Sequence, residues 1–170
     1  MAGAKTDKET LNRTLEKVCG ILHENNINDW FIMYGTLLGI VRENSCIQGD
    51  DDLDIMINCD YQHLRNAFEK KGFNFMVGHY GIKNPDTILK SYPTQEFASI
   101  DFYMFEKHES GDVYSRWSNV IATNCYPFVQ KEWKSQTLNL PNEYSKKLIN
   151  MYGKNWQIPG HASAPMNAKF

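Results

Sequence analysis

The chain has 170 residues, 42% of them hydrophobic and 22% charged. That apolar share excludes global disorder, and the length fits one domain. Eighteen basic residues against 20 acidic ones leave a net charge of −2, which excludes an electrostatic case for non-specific binding to DNA or RNA. An anionic ligand such as a nucleotide needs a local device instead, a metal above all.

Thr6-Asp7-Lys8-Glu9 has the form of a capping box, with Thr6 accepting from the Glu9 N–H. Leu11, Leu15, Val18, Cys19 and Leu22 follow at helical spacing, so 7–25 is expected to be an amphipathic helix. A strand is expected at 30–34, ended by Gly35-Thr36. A short helix follows at 37–42, a loop at 43–49 and a second strand at 53–58. Leu64, Ala67 and Phe68 place a helix over 61–71, with Gly72 beyond its end. Strands are expected at 73–77, 87–92 and 99–105, with a turn over 78–86, and 113–117 pairs back through Ser110-Gly111-Asp112. No element is assigned over 118–140. A last helix covers 142–151, stopped by Gly153. The order reads as α+β, a mixed β-sheet flanked by helices, with one domain over 1–160 and a loose tail over 161–170.

The N-terminus has no apolar h-region of a secretory signal, and no apolar run approaches a membrane span. Four cysteines at 19, 46, 59 and 125 form no CxxC pair. Free thiols in a reducing, cytoplasmic compartment are the expectation, and two disulfides are the alternative.

The chemistry concentrates in Asp50-Asp51-Asp52-Leu53-Asp54. Alternation along a strand points Asp50, Asp52 and Asp54 the same way and Asp51 the other. Like charges on one face are costly unless a cation neutralises them. Hard oxygen ligands suit Mg2+ or Mn2+. A solvated acidic turn is the plain alternative. An EF-hand is excluded, because no glycine follows the acids and no glutamate stands at the twelfth position. Gly35-Thr36 lies where a strand turns into a helix, a place that lets phosphate approach backbone N–H groups. Asp101, inside the apolar run 99–105, needs a partner, a metal or a solvated face.

Together these residues resemble the nucleotidyltransferase superfamily with the DNA polymerase β-like fold. Its pattern of a strand, a Gly-Ser-like pair, D-x-D on the next strand and a third acid on a later one is met by Gly35-Thr36, Asp52-Leu53-Asp54 and Asp101. Tyr34-Gly35-Thr36-Leu37-Leu38-Gly39-Ile40-Val41-Arg42, Ile47, the aspartate run and the ending 148–156 look more closely like the LicD and fukutin-related family. The likeness runs from about residue 11 to 159. Where members usually carry Pro-Trp before the aspartates, this chain has Gln48-Gly49.

The resemblance implies a metal-dependent phosphotransferase that moves a phospho-alcohol, of the phosphocholine or ribitol phosphate type, from a CDP-activated donor to a glycan hydroxyl. It implies catalytic Asp52, Asp54 and Asp101, with Asp50, Asp52, Asp54 and Asp101 on the metal and Asp101 alternatively the base. Gly35 and Thr36 would contact donor phosphate. Arg42 would meet phosphate or else cap the short helix. Lys90, His79, Tyr80, Arg116 and Trp117 are further groove candidates, each weighed against an ordinary surface role. NMP transfer from an NTP and a non-catalytic nucleotide- or metal-binding module are the rival readings. At this length the chain reads as a nearly bare catalytic core.

Overall fold

The computed structural model describes residues 5–77 and 85–160. Helix α1 (Lys8–Glu24) buries Leu11, Leu15, Val18, Cys19 and Leu22, the stripe legible in the sequence. Its cap differs from the expectation. Asp7, one residue later than Thr6, is the N-cap and accepts from the Glu9 and Thr10 N–H groups. A carboxylate there also meets the positive end of the helix dipole. Thr6 serves the aspartate loop instead, donating its N–H to the Asp50 carbonyl and accepting from the Gly49 N–H.

The strands β1 (Trp30–Ile32), β2 (Asp52–Ile57), β3 (Ile88–Lys90), β4 (Ser99–Lys107), β5 (Val113–Ser115) and β6 (Val120–Ala122) form one mixed sheet. Its order is β1-β2-β4-β5-β6, with β3 also paired to β4. Among the described residues β2 and β4 run parallel, and the other pairs of this sheet are antiparallel. β2 lies along one edge of β4, while β3 and β5 share the other. β2 is buried along almost its whole length, which matches its near-continuous apolar run.

Helix α2 (Tyr34–Glu43) starts three residues earlier than expected, so Gly35 and Thr36 sit in its first turn rather than in a strand-to-helix turn. Gly39 lets α2 press on the loop after it, since a Cβ there would lie 2.5 Å from the Ser45 carbonyl oxygen. Helix α3 (Tyr61–Glu69) follows β2. The strand expected at 73–77 is absent. Phe75 makes a single bridge to Ser91, and Phe73 and Phe75 pack their rings on Phe68. The unassigned stretch holds β6 and a hairpin of β7 (Val129–Trp133) and β8 (Gln136–Leu140). Helix α4 (Tyr144–Tyr152) ends at Gly153 with φ 81°, the left-handed range that favours glycine.

All four cysteines are free. Among the described residues no helix is long and apolar enough to cross a membrane. The expected turn at 78–84 and the tail at 161–170 lie outside the described residues, as do His79 and Tyr80.

Candidate functional site

The site begins with the register of the parallel pair. Asp54 in β2 lies opposite Asp101 in β4, and Asp52 lies opposite Ser99. Period-two alternation puts Asp52 and Asp54 on one face, and the register puts Asp101 and Tyr103 on that same face. The result is a group in which carboxylate oxygens of Asp52, Asp54 and Asp101 all lie within 4.8 Å of one another. Asp54 is 8% exposed and Asp101 6%.

Asp50 and Asp51 precede the strand, so alternation does not govern them. Carboxylate oxygens of Asp50, Asp51 and Asp52 form a second group within 4.8 Å, and Asp51 therefore stands with the others rather than pointing away. Asp52 belongs to both groups. The Asp50 carboxylate rests against Gly35, where a Cβ would come within 2.4 Å of its Oδ2. The glycine thus makes room for a carboxylate at the positive end of α2.

Thr36 is a brace. β1 ends at Ile32, and beyond it the edge of β2 is met by α2's entry. The Met33 N–H donates to the Asp54 carbonyl, and the Thr36 hydroxyl accepts from the Asp54 N–H at 2.9 Å. Thr36 is buried as a whole residue. Met33, the N-cap of α2, makes no side-chain cap, which leaves first-turn N–H groups without that partner.

Two residues not weighed heavily in the sequence complete the cluster. Lys90 pairs with Asp101 across the antiparallel β3–β4 ladder. Its ammonium donates to both Asp101 oxygens at 2.6 and 2.7 Å and to Asp52 Oδ2 at 3.2 Å. The Tyr103 hydroxyl lies 3.1 Å from Asp54 Oδ1 and 3.4 Å from Asp101 Oδ2, and its one hydrogen serves one of them at a time. Tyr103 stands two residues after Asp101, so its shared face was legible from alternation. Lys90 was not, because a ladder register is a non-local property.

Burial and mutual repulsion set the electrostatics. Burial pushes Asp50 up to about 6, with Asp52 and Asp51 adding to it. Burial likewise pushes Asp52 up to about 6, with Asp101 adding and Lys90 opposing. Asp54 is raised well above the usual carboxylate range by burial and then by Asp52, Asp101 and Asp50. Asp101 is raised by burial against the pull of Lys90. Burial alone would lower Lys90, but its bonds to Asp101 outweigh it and the net shift is upward. Charges confined in this way call for a cation. An all-oxygen donor set with oxygens this close fits a hard divalent ion.

Arg42 stands apart. In the last turn of α2 its guanidinium donates to Glu43 and, at 3.4 Å, to the Trp156 carbonyl. Neither partner is a carbonyl of α2. Arg116 pairs with Glu106, and Trp117 is exposed. A cavity of about 560 Å³ lies at the other end of the sheet, against Trp30 and the β7–β8 hairpin. None of Asp50, Asp51, Asp52, Asp54 and Asp101 lines it. Trp30 pairs with Ile57, five residues along β2 from Asp52, or roughly 17 Å at the strand rise.

The family description "LicD/FKTN/FKRP, nucleotidyltransferase domain" matches residues 27–161. The uncharacterized protein RP689 of Rickettsia prowazekii (strain Madrid E) is 30% identical over 111 residues, 63% of this chain and 36% of that protein. The chain thus spans little more than a third of that relative's length. Among solved structures, the lincosamide antibiotic adenylyltransferase LnuA, crystallised with lincomycin bound, superposes with a TM-score of 0.56 at 15% identity over 86% of each chain. ANT(2")-Ia in complex with adenylyl-2"-tobramycin gives 0.55 at 13% identity, covering 85% of this chain and 76% of that one. An antigenic nucleotidyltransferase-like protein from Paracoccidioides brasiliensis gives 0.54 at 15%, covering 88% and 69%. At such identities the likeness is one of fold, and the fold is that of the nucleotidyltransferases.

Proposed function

The chain belongs to the LicD/FKTN/FKRP nucleotidyltransferase-domain family, and from that premise we propose that it is a metal-dependent transferase. It moves a phospho-alcohol, of the phosphocholine or ribitol phosphate type, from a CDP-activated donor to a glycan hydroxyl. The observation that carries the reading is the convergence of Asp52, Asp54 and Asp101 within 4.8 Å across a parallel strand pair. Asp52 and Asp54 would hold Mg2+ or Mn2+, with Asp50 a further ligand and Asp101 a third ligand or the base. The bound ion would supply charge neutralisation for the donor's pyrophosphate.

In the reaction the acceptor oxygen bonds to the phosphorus that carries the alcohol. The bond from that phosphorus to the bridging oxygen breaks, and CMP leaves with its electron pair. The acceptor proton passes to a carboxylate or to water. Phosphoryl chemistry of this kind depends on positioning and charge rather than on a covalent enzyme intermediate. The chain's own residues accordingly position groups. Thr36 fixes the main chain at Asp54, Tyr103 orients Asp54 and Asp101, and the first turn of α2 offers N–H groups to phosphate beside Asp50. Burial raises the Tyr34 and Tyr152 phenols, and the charge of Asp54 adds to it. The four free thiols accord with a cytoplasmic setting.

Product analysis tests the reading. The full chain is incubated with Mg2+ and, separately, CDP-choline, CDP-ribitol, CDP-glycerol or an NTP, with water as a slow surrogate acceptor. CMP release from a CDP-alcohol is the expected result. Pyrophosphate release from an NTP alone replaces the reading with NMP transfer, and no turnover of any donor favours a binding module.

A further inference from the structure

The cavity of about 560 Å³ opens where α1, β1 and the β7–β8 hairpin meet, at the end of the sheet away from the carboxylates. Its volume falls within the roughly 300–1,000 Å³ of small-ligand sites. Gln130 and Asn139 line it and are cross-strand partners in the hairpin, so their carboxamides share one face. Asn139 is 9% exposed, and Trp30, on the facing strand β1, is 5% exposed. Among the described residues every sealed-off side-chain polar atom has a hydrogen-bond partner, but the Asn139 carboxamide and the Trp30 indole N–H have none. Both groups therefore open onto free space, and the free space that both residues line is the cavity. Polar groups on residues this deeply buried normally pair within the protein. Here they are left to whatever enters.

Gly20 makes the room. It lies inside α1 and lines the cavity, although glycine is among the poorest helix formers. A Cβ built on it would meet nothing within 4 Å, so close packing does not demand a glycine there. Charge then narrows the ligand. No lysine or arginine lines the cavity, so no anion is matched. The acid that lines it, Glu24, is bridged by Lys71 at 2.7 Å, so no cation is called for. Carboxamides both donate and accept, as sugar hydroxyls do, and an indole adds a donor and an apolar face. We propose that this cavity binds a neutral saccharide, with Trp30, Gln130 and Asn139 as its polar contacts. This does not rest on the reading given above for the carboxylates.

Heteronuclear NMR of the full chain tests it. Neutral trisaccharides of glucose, mannose, galactose and N-acetylglucosamine are titrated one at a time to millimolar concentration. The Trp30 indole resonance is assigned by its loss in Trp30→Phe, and the Asn139 carboxamide pair by its loss in Asn139→Leu. At least one trisaccharide is expected to shift both sets saturably, while inorganic phosphate and choline shift neither. Asn139→Leu is expected to weaken that binding about tenfold, the worth of roughly one hydrogen bond. Gly20→Leu fills the cavity from a position with open space around it, and is expected to abolish binding with the circular dichroism unchanged. The proposal is overturned if no trisaccharide moves these resonances, if phosphate or choline moves them instead, or if sugar binding survives Gly20→Leu. If Asn139→Leu does not fold, the Trp30 resonance and Gly20→Leu decide.

Discussion

Asp54 and Asp101 face each other across the parallel β2–β4 pair, both buried, with the Tyr103 hydroxyl reaching an oxygen of each. Two buried carboxylates in that relation repel one another, and an apolar pair would stabilise the sheet better. Under the proposed function, a bound divalent cation would offset that repulsion.

Asp52→Asn and Asp54→Asn each remove one ionised ligand oxygen set. Transfer is expected to fall by more than the roughly 10–100-fold typical of losing a residue that only supports a ligand. The metal-free protein should melt no lower than wild type, because a buried repulsive charge has been removed. CMP-release assays and thermal melts monitored by circular dichroism check both halves. Wild-type activity in both variants contradicts the assignment.

The raised carboxylates also fix the sign of a pH effect. Asp50 and Asp52 go from 3.8 unfolded to about 6 folded, so the native state binds more protons than the unfolded state between those values. Their contribution to stability is therefore fully present below 3.8 and is lost as pH rises through about 6. Metal-free protein should have a higher Tm near pH 5 than near pH 7.5, and saturating Mg2+ should narrow the gap by neutralising the ionised forms. A Tm that rises with pH across this window in the metal-free protein contradicts the account.

Thr36→Val keeps the shape of the side chain and removes the acceptor of the Asp54 N–H. A buried donor left unpaired costs about 1–3 kcal/mol. Urea denaturation should register that loss, and Thr36→Ser should recover most of it. Equal stability of Thr36→Val and wild type would mean that the N–H finds another partner.

Tyr103→Phe removes the hydroxyl that orients Asp54 and Asp101 and leaves the ring packed against Tyr34. Mn2+ affinity is expected to weaken by about 10–100-fold. Calorimetric titration reads it directly, and unchanged affinity would reduce Tyr103 to a packing residue.

How much of this was legible in the sequence differs from residue to residue. Asp52, Asp54 and Asp101 were legible because acids inside apolar runs conflict with their surroundings. Alternation counted from residue 50 points Asp51 away, but β2 starts at Asp52, so the rule does not reach Asp51. Gly35-Thr36 reads as a turn in the sequence, because helix propensity says little about a helix that starts at Tyr34 with a φ of 48°. Lys90 is a groove candidate in the sequence, but its pairing with Asp101 is not legible there, because β3 has three residues and only its register with β4 brings the two together. The β7–β8 hairpin was hidden because its turn, Lys134-Ser135, lacks the Asn-Gly type of signal even though Lys134 adopts a φ of 51°.

The central claim is that Asp52, Asp54 and Asp101 jointly hold a divalent ion at the mouth of the β2–β4 pair. Anomalous diffraction from crystals grown with Mn2+ and CDP tests it most directly. The account predicts a manganese peak in direct contact with oxygens of Asp52 and Asp54. A peak confined to other residues, or none at these carboxylates with CDP visibly bound, would contradict it.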